Sequence, residues 1–240
     1  RGGASAGISA DGPDRSGALE AFVGEAGELV ASGMYLPDAA KGVAHGDLIS
    51  LTAADPRDTA RMGTFADRCE GLGAAVVAEK TVGSLDGRSV AIEGFGATGP
   101  SLATALTERG ASINAISTAT GMVSSTAGFP APVLASSWNT YGADLVSDLG
   151  EVQDASAIFG SGPDILFTGS KMGIVDHLIA AQLTDVTAVV PCGRLPLTAR
   201  ALAVLRSAGV AAPADFVALA GSTLALWGDA SRTDDEILAG

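Results

Sequence analysis

The sequence predicts an α/β protein built on a doubly wound parallel sheet. Two observations carry that prediction. Short apolar runs recur at 90–92 (VAI), 112–117 (SINAIS), 165–167 (ILF) and 186–190 (VTAVV), the length of strands buried on both faces. Between and after them lie segments 100–109, 172–183 and 197–209, whose apolar residues return at helical spacing. Strands alternating with helices make βαβ units, because a parallel return needs a crossover.

The elements before the first strand are less regular. Residues 1–12 read as a small-residue turn. Residues 16–33 place Leu19, Phe22, Val23, Leu29 and Val30 at helical spacing, with Ser16 as N-cap and Gly33 just past the end. From Tyr35 to about Arg68 the chain is loop-rich. A helix over 73–83 then leads into the first strand. At the far end, Asp234, Asp235 and Glu236 read as a solvated tail.

Composition narrows the class. With 47% hydrophobic and 17% charged residues, the 240-residue chain has the makings of a globular core. No run approaches the ~18 apolar residues of a membrane helix. A net charge of −13, with basic residues nowhere clustered, excludes nucleic acid and anionic membranes as expected partners. Cys69 and Cys192 form no disulfide framework, and with His45 and His177 they give no metal-ligand spacing, so no metal is expected. The start carries no signal-peptide pattern, so the cytoplasm is the expected compartment. The chain opens on Arg1 rather than Met, as a fragment or processed product would.

The stretch VAIEGFGATGPSLATALTERG, residues 90–110, says most about function. Gly94, Gly96 and Gly99 stand at the G-x-G-x-x-G spacing of a dinucleotide-binding, Rossmann-like turn. Gly94 allows the sharp exit from the strand, Gly96 the approach of a pyrophosphate, and Gly99 close packing of helix on sheet. With Phe95, Ala97 and Thr98 these make the expected cofactor cradle, and Pro100 suits the first helical turn. An acid that binds a ribose 2′-OH is expected at the end of the second strand, yet AISTATG supplies Ser117, Thr118 and Thr120. Hydroxyls bond either ribose form, so NAD and NADP both stay open.

The chain then resembles the glutamate/leucine/phenylalanine/valine dehydrogenase family over most of its length. LDGRSVAIEGFGATG with GASINAISTATG is similar to that family's cofactor-domain opening, and EGLG (70–73) to its Thr-Gly-x-Gly. GPDILFTGSKMG (162–173) resembles the loop that closes over the cofactor, which adds Gly169 and Ser170 to the expected cofactor contacts. VVPCGRLPLTARALAVLRSAGV (189–210) has the shape of the Glu-Gly-Ala-Asn-Gly-Pro-Thr-Thr-Pro-Glu-Ala segment, and ADFVALAGS (214–222) of Pro-Asp-x-Leu-Ala-Asn-Ala-Gly-Gly. RGGASAGISAD resembles the substrate domain's Gly-Gly-Ala-Lys-Gly-Gly.

The resemblance implies a partial substrate-binding domain over 1–65, a Rossmann-like domain over 66–225 and a tail over 226–240. It implies NAD(P)-dependent oxidative deamination, in which a Lys polarises substrate and water and an Asp shuttles protons. Carried over residue by residue, most of those groups differ. The Lys position holds Ser5, which has no comparable basicity. The two Asn positions hold Arg194 and Leu219, the Thr of Thr-Gly-x-Gly is Glu70, and a later Ser is Leu226. Two registers place the Asp, one on Ala40 and one on Asp47.

The expected catalytic set is therefore Asp47, Glu70 and Arg194. Glu70 and Arg194 would serve as an acid/base or substrate-anchoring pair, or else as a salt bridge at a solvated rim. Two functions follow. One is a diverged NAD(P)-dependent oxidoreductase of the amino acid dehydrogenase type. The alternative is a non-catalytic NAD(P)-binding or partner-binding relative. Expected partners are a small-molecule substrate or a family-related protein subunit, with a homo-oligomer open.

Overall fold

The computed structural model describes residues 6–10, 12–37, 43, 45–53, 55, 61, 63–226 and 231–239. The chain divides into two compact units, Arg1–Met62 and Gly63–Gly240. The division lies three residues before the expected one, and residues 226–240 belong with the second unit.

The first unit contains helix α1 (Arg15–Ala31), a 3-10 turn His45–Leu48 and the short helix α2 (Ile49–Thr52). Ala26 and Val30 of α1 bury against Leu48 and Leu51, with Phe22 and Tyr35 edge to face at 6.4 Å. Helix α1 begins just before the expected Ser16, whose side chain does not cap it. Gly33, at φ +70, ends it as expected.

The second unit opens on α3 (Thr64–Val82), nine residues earlier than expected. Its buried stripe is Ala66, Cys69, Gly71, Ala74, Ala75 and Ala78, small residues that give helical spacing little hydrophobic contrast. Then follow β1 (Ser89–Glu93), α4 (Gly99–Glu108), β2 (Ser112–Thr118), β3 (Gly121–Ser124), α5 (Ala131–Tyr141), α6 (Leu145–Leu149), β4 (Ile165–Thr168), α7 (His177–Ala180), β5 (Ala188–Pro191) and α8 (Ala199–Ser207). The unit closes with α9 (Asp215–Ala218), α10 (Ala220–Leu226) and α11 (Asp234–Leu238).

The sheet order is β3-β2-β1-β4-β5. Four strands are parallel, as expected. The fifth, β3, returns antiparallel to β2 through a two-residue hairpin and makes the sheet mixed. Alternate strand residues feed two cores. Val90, Ile92, Ile165, Phe167 and Val190 face α3, α4 and α5, while Ala91, Leu166 and Val189 face α7 and α8. The sheet is therefore covered on both sides.

Three expectations change. Segment 172–183 forms only the single turn α7, because Gly173 sits at φ +66 and Val175 bridges Leu197, leaving Asp176 to cap from outside. Helices α5 and α6 and strand β3 went unread. The acids near the C-terminus are the first turn of α11, where Thr233 and Glu236 form a capping box and negative charge complements the helix dipole. No helix among the described residues is long and apolar enough to cross a membrane.

Candidate functional site

Strand β1 connects through α4 to β2 on one side, while β4 lies on the other. The crevice at such a switch point, beyond the carboxyl ends of the strands, is where open α/β sheets take ligands. The glycine turn occupies it. Gly94 leaves β1 at φ +84, and a Cβ there would stand 2.5 Å from the Ser170 amide nitrogen. Its N–H and that of Phe95 both donate to the Ser117 carbonyl, at 3.2 and 2.7 Å.

The remaining positions of the turn divide between packing and openness. Phe95, expected in the cofactor cradle, is 3% exposed. Its ring lies under Gly99, where a Cβ would come within 2.8 Å, and edge-on to Trp138 at 6.0 Å. Phe95 thus contributes packing, and its N–H is already taken. At Gly96 a Cβ would meet only the Gly94 carbonyl, at 3.8 Å. Among the described residues, no acceptor meets the backbone N–H groups of Gly96, Ala97 and Thr98, just ahead of the N-terminus of α4. Unpaired donors beside a positive helix end suit an anion.

The end of β2 is closed instead. Ser117 is buried with its oxygen 3.4 Å from the Gly94 nitrogen. Thr118, also buried, donates to the Ala143 carbonyl at 2.7 Å, and Thr120 reaches the same oxygen at 2.8 Å. The hydroxyls expected to face a ribose are engaged within the fold.

On the other side of β1, Glu93 is buried, and its Oε2 accepts from Thr168 Oγ1 at 2.9 Å, Gly169 N at 3.0 Å and Ser170 N at 3.2 Å. Sequence reasoning passed over Glu93. The available signal was a carboxylate closing an apolar strand directly before the turn. Gly169 and Ser170 border the turn as expected, but their N–H groups are occupied by Glu93.

The loops after β4 and β5 run together, since a Cβ on Gly169 would stand 2.5 Å from Gly193 N. This brings Cys192 and Arg194 to the same edge as Glu70 on α3. Gly71 holds α3 tightly on α4, leaving a Cβ only 2.5 Å from Leu102 N. Glu70, half-buried, accepts from Ser222 Oγ at 3.1 Å. Burial pushes its carboxyl above the ordinary range and nearby Asp67 adds to this, while the Ser222 hydrogen bond and the Arg194 charge oppose it. Asp67 is likewise raised by burial. Arg194 is exposed and makes no ion pair with Glu70 within 4.0 Å among the described residues, so the two interact through space. The Cys192 thiol is pushed strongly upward by burial, then by Glu93 and Glu70. That disfavours the thiolate, the nucleophilic form of the group.

Asp47 lies in the first unit, where Arg15 Nη2 donates to it at 2.7 Å. Ser5 and Ala40 fall outside the described residues. No group of three His, Cys, Asp or Glu among the described residues could hold a metal ion.

The family model described as Glutamate/Leucine/Phenylalanine/Valine dehydrogenase matches residues 67–225. No curated protein matches the sequence significantly. Hetero-hexameric glutamate dehydrogenase from Thermus thermophilus is similar in structure, with TM-score 0.70 and 20% identity over 90% of this chain and 55% of that one. A further glutamate dehydrogenase gives TM-score 0.69 and 18% identity, over 94% and 58% of the two chains. Plasmodium falciparum glutamate dehydrogenase 2 gives 0.63 and 18%, over 72% and 43%. The chain thus spans little more than half the length of the first of these.

Proposed function

The chain belongs to the glutamate/leucine/phenylalanine/valine dehydrogenase family, and on that premise we propose that it binds NAD or NADP and works as a diverged oxidoreductase of the amino acid dehydrogenase type. The observation that carries this reading is the turn at Gly94–Gly99, open at Gly96 and lined by the unpaired N–H groups of Gly96, Ala97 and Thr98. Those groups and the N-terminus of α4 would hold the pyrophosphate. When bound, the nicotinamide supplies a hydride acceptor or donor.

This chain's own residues supply the rest. Glu70 holds a proton above the usual carboxylate range, with Ser222 fixing its orientation, so it can give or take a proton at the cofactor edge. Exposed Arg194 offers a planar guanidinium to a substrate carboxylate. One family register puts Asp47 at the position of the family's Asp and the other puts Ala40 there. NAD and NADP are not separated, because Thr118 is engaged with Ala143 and no acid stands at the end of β2.

Calorimetric titration with NADH and with NADPH tests this reading. Micromolar binding of either supports it and leads to assays of hydride transfer with 2-oxo acids and ammonia. No heat and no thermal shift at millimolar nucleotide would remove the cofactor.

Ser5 at the family's Lys position favours a second reading, a non-catalytic subunit that completes a related chain's assembly. Nucleotide binding without hydride transfer, together with tight association to a full-length family subunit, would select it. Ser5→Lys alone is expected to leave deamination absent, since Arg194, Leu219, Glu70 and Leu226 also depart from the family pattern.

A further inference from the structure

Glu93 is the last residue of β1 and is 5% exposed. A carboxylate is costly to bury unless hydrogen bonds replace water. Here three donors converge on one oxygen, Oε2, and all three belong to residues 168–170, across a separation of 75 to 77 positions in sequence. The Gly169 N–H also lies 3.1 Å from the Glu93 carbonyl. The loop leaving β4 is therefore fastened to the end of β1 by main chain and side chain together.

That loop also walls the glycine turn. The Ser170 amide is the atom a Cβ on Gly94 would strike. Where Ser170 stands relative to the turn is thus set by Glu93. With the Gly169 and Ser170 N–H groups turned onto the carboxylate, exposed Ser170 still offers its hydroxyl.

In a fold of this kind the end of β2 takes the adenosine ribose, so the other half of a dinucleotide extends over β4. Building on the nucleotide reading above, we propose that Glu93 is a positioning residue for the nicotinamide half of the cofactor. Its carboxylate holds residues 168–170 at the distance from Gly94 that admits the nicotinamide riboside. Charge matters as well as shape. Charge-assisted hydrogen bonds are the stronger kind, and an amide oxygen receives three donors less well than a carboxylate oxygen does.

The test compares the full chain with Glu93→Ala and Glu93→Gln. NADH and ADP are titrated by calorimetry, and amide exchange at Gly169 and Ser170 is followed without nucleotide. ADP reaches the turn and the end of β2 but not the β4 side. In Glu93→Ala, NADH affinity is expected to fall about tenfold or more while ADP affinity holds. The Ser170 amide exchanges faster, the Gly169 amide changes less because it keeps the Glu93 main-chain carbonyl, and Glu93→Gln falls between.

Unchanged NADH binding in Glu93→Ala overturns the proposal. So does an equal loss of ADP and NADH affinity, which marks a general loss of structure. Should Glu93→Ala fail to fold, Thr168→Val removes one of the three donors and is expected to give the same pattern at smaller amplitude. A wild-type chain that binds neither ligand defeats the nucleotide reading and this proposal with it. Exchange at the two amides reports the clamp separately in that case.

Discussion

Thr118 Oγ1 stands 2.7 Å from the carbonyl oxygen of Ala143, so the 3-10 turn Gly142–Asp144 is hydrogen-bonded onto the C-terminal end of β2. Thr120, on the exposed side, donates to the same oxygen, which makes the contact a small network. Thr118→Val removes one donor and should cost about 1 kcal/mol of unfolding free energy. Urea denaturation measures it. Because that hydroxyl is already spent, the ratio of NADH to NADPH affinity should not move, and a changed ratio would return Thr118 to the ribose.

Gly94 and Gly96 should respond oppositely to a methyl group. Gly94→Ala must place a Cβ against the Ser170 backbone at φ +84, so stability falls by about 2 kcal/mol or more. Gly96→Ala meets nothing closer than 3.8 Å, so stability changes by less than about 1 kcal/mol. Its methyl nevertheless fills the cradle, and NADH affinity should drop about tenfold. Thermal unfolding and calorimetry on the two variants separate architecture from binding.

Leu195 adopts φ +47, a left-handed conformation that costs an L-residue roughly 1–2 kcal/mol. Two backbone hydrogen bonds hold it there. Its N–H donates to Asp215 at 2.9 Å and its carbonyl accepts from Gly173 at 2.9 Å. Leu195→Gly should therefore be neutral or stabilising by up to about 1 kcal/mol, while Leu195→Val should lose about as much. The order Gly, Leu, Val in midpoint denaturant is the expected result. A Gly variant below wild type would mean that the exposed Leu side chain makes contacts worth more than the strain.

Glu70 should oppose folding as it ionises. Its folded carboxyl lies above its ordinary value of 4.5, so its favourable contribution is complete below that pH and is lost as pH rises through the raised value. Glu70→Gln cannot ionise and still accepts from Ser222. The variant should match wild type near pH 4 and gain relative stability as pH increases, then level off. Denaturation curves across that window decide it. A variant that weakens relative to wild type with rising pH would mean that the Arg194 charge outweighs burial.

Much of the second unit was legible because its cues are local. The runs at 90–92, 112–117 and 165–167 fall on β1, β2 and β4, and that at 186–190 overlaps β5, since a strand buried on both faces is largely apolar. The glycine turn was legible for the same reason, as G-x-G-x-x-G between strand and helix describes one short piece of backbone. Reading failed where contrast was weak. The first half of α3 is faced with Ala, Gly and Cys, and β3 is four residues long at the sheet edge. The helical spacing of 172–183 misled, because Gly173 and the bridge to Leu197 draw that segment into a loop.

The amino-acid sequence by itself determined the alternation of strand and helix and the position of the glycine turn. Only the tertiary structure decided which polar groups remain free to act. Thr118 is spent on Ala143, Gly169 and Ser170 are spent on Glu93, and Glu70 is bonded to Ser222 from 152 positions away. The physical reason is that a strand's period and a glycine's dihedral are set within a few residues. A buried carboxylate's partners depend instead on sheet order, and β4 lies beside β1 only once the chain has crossed back.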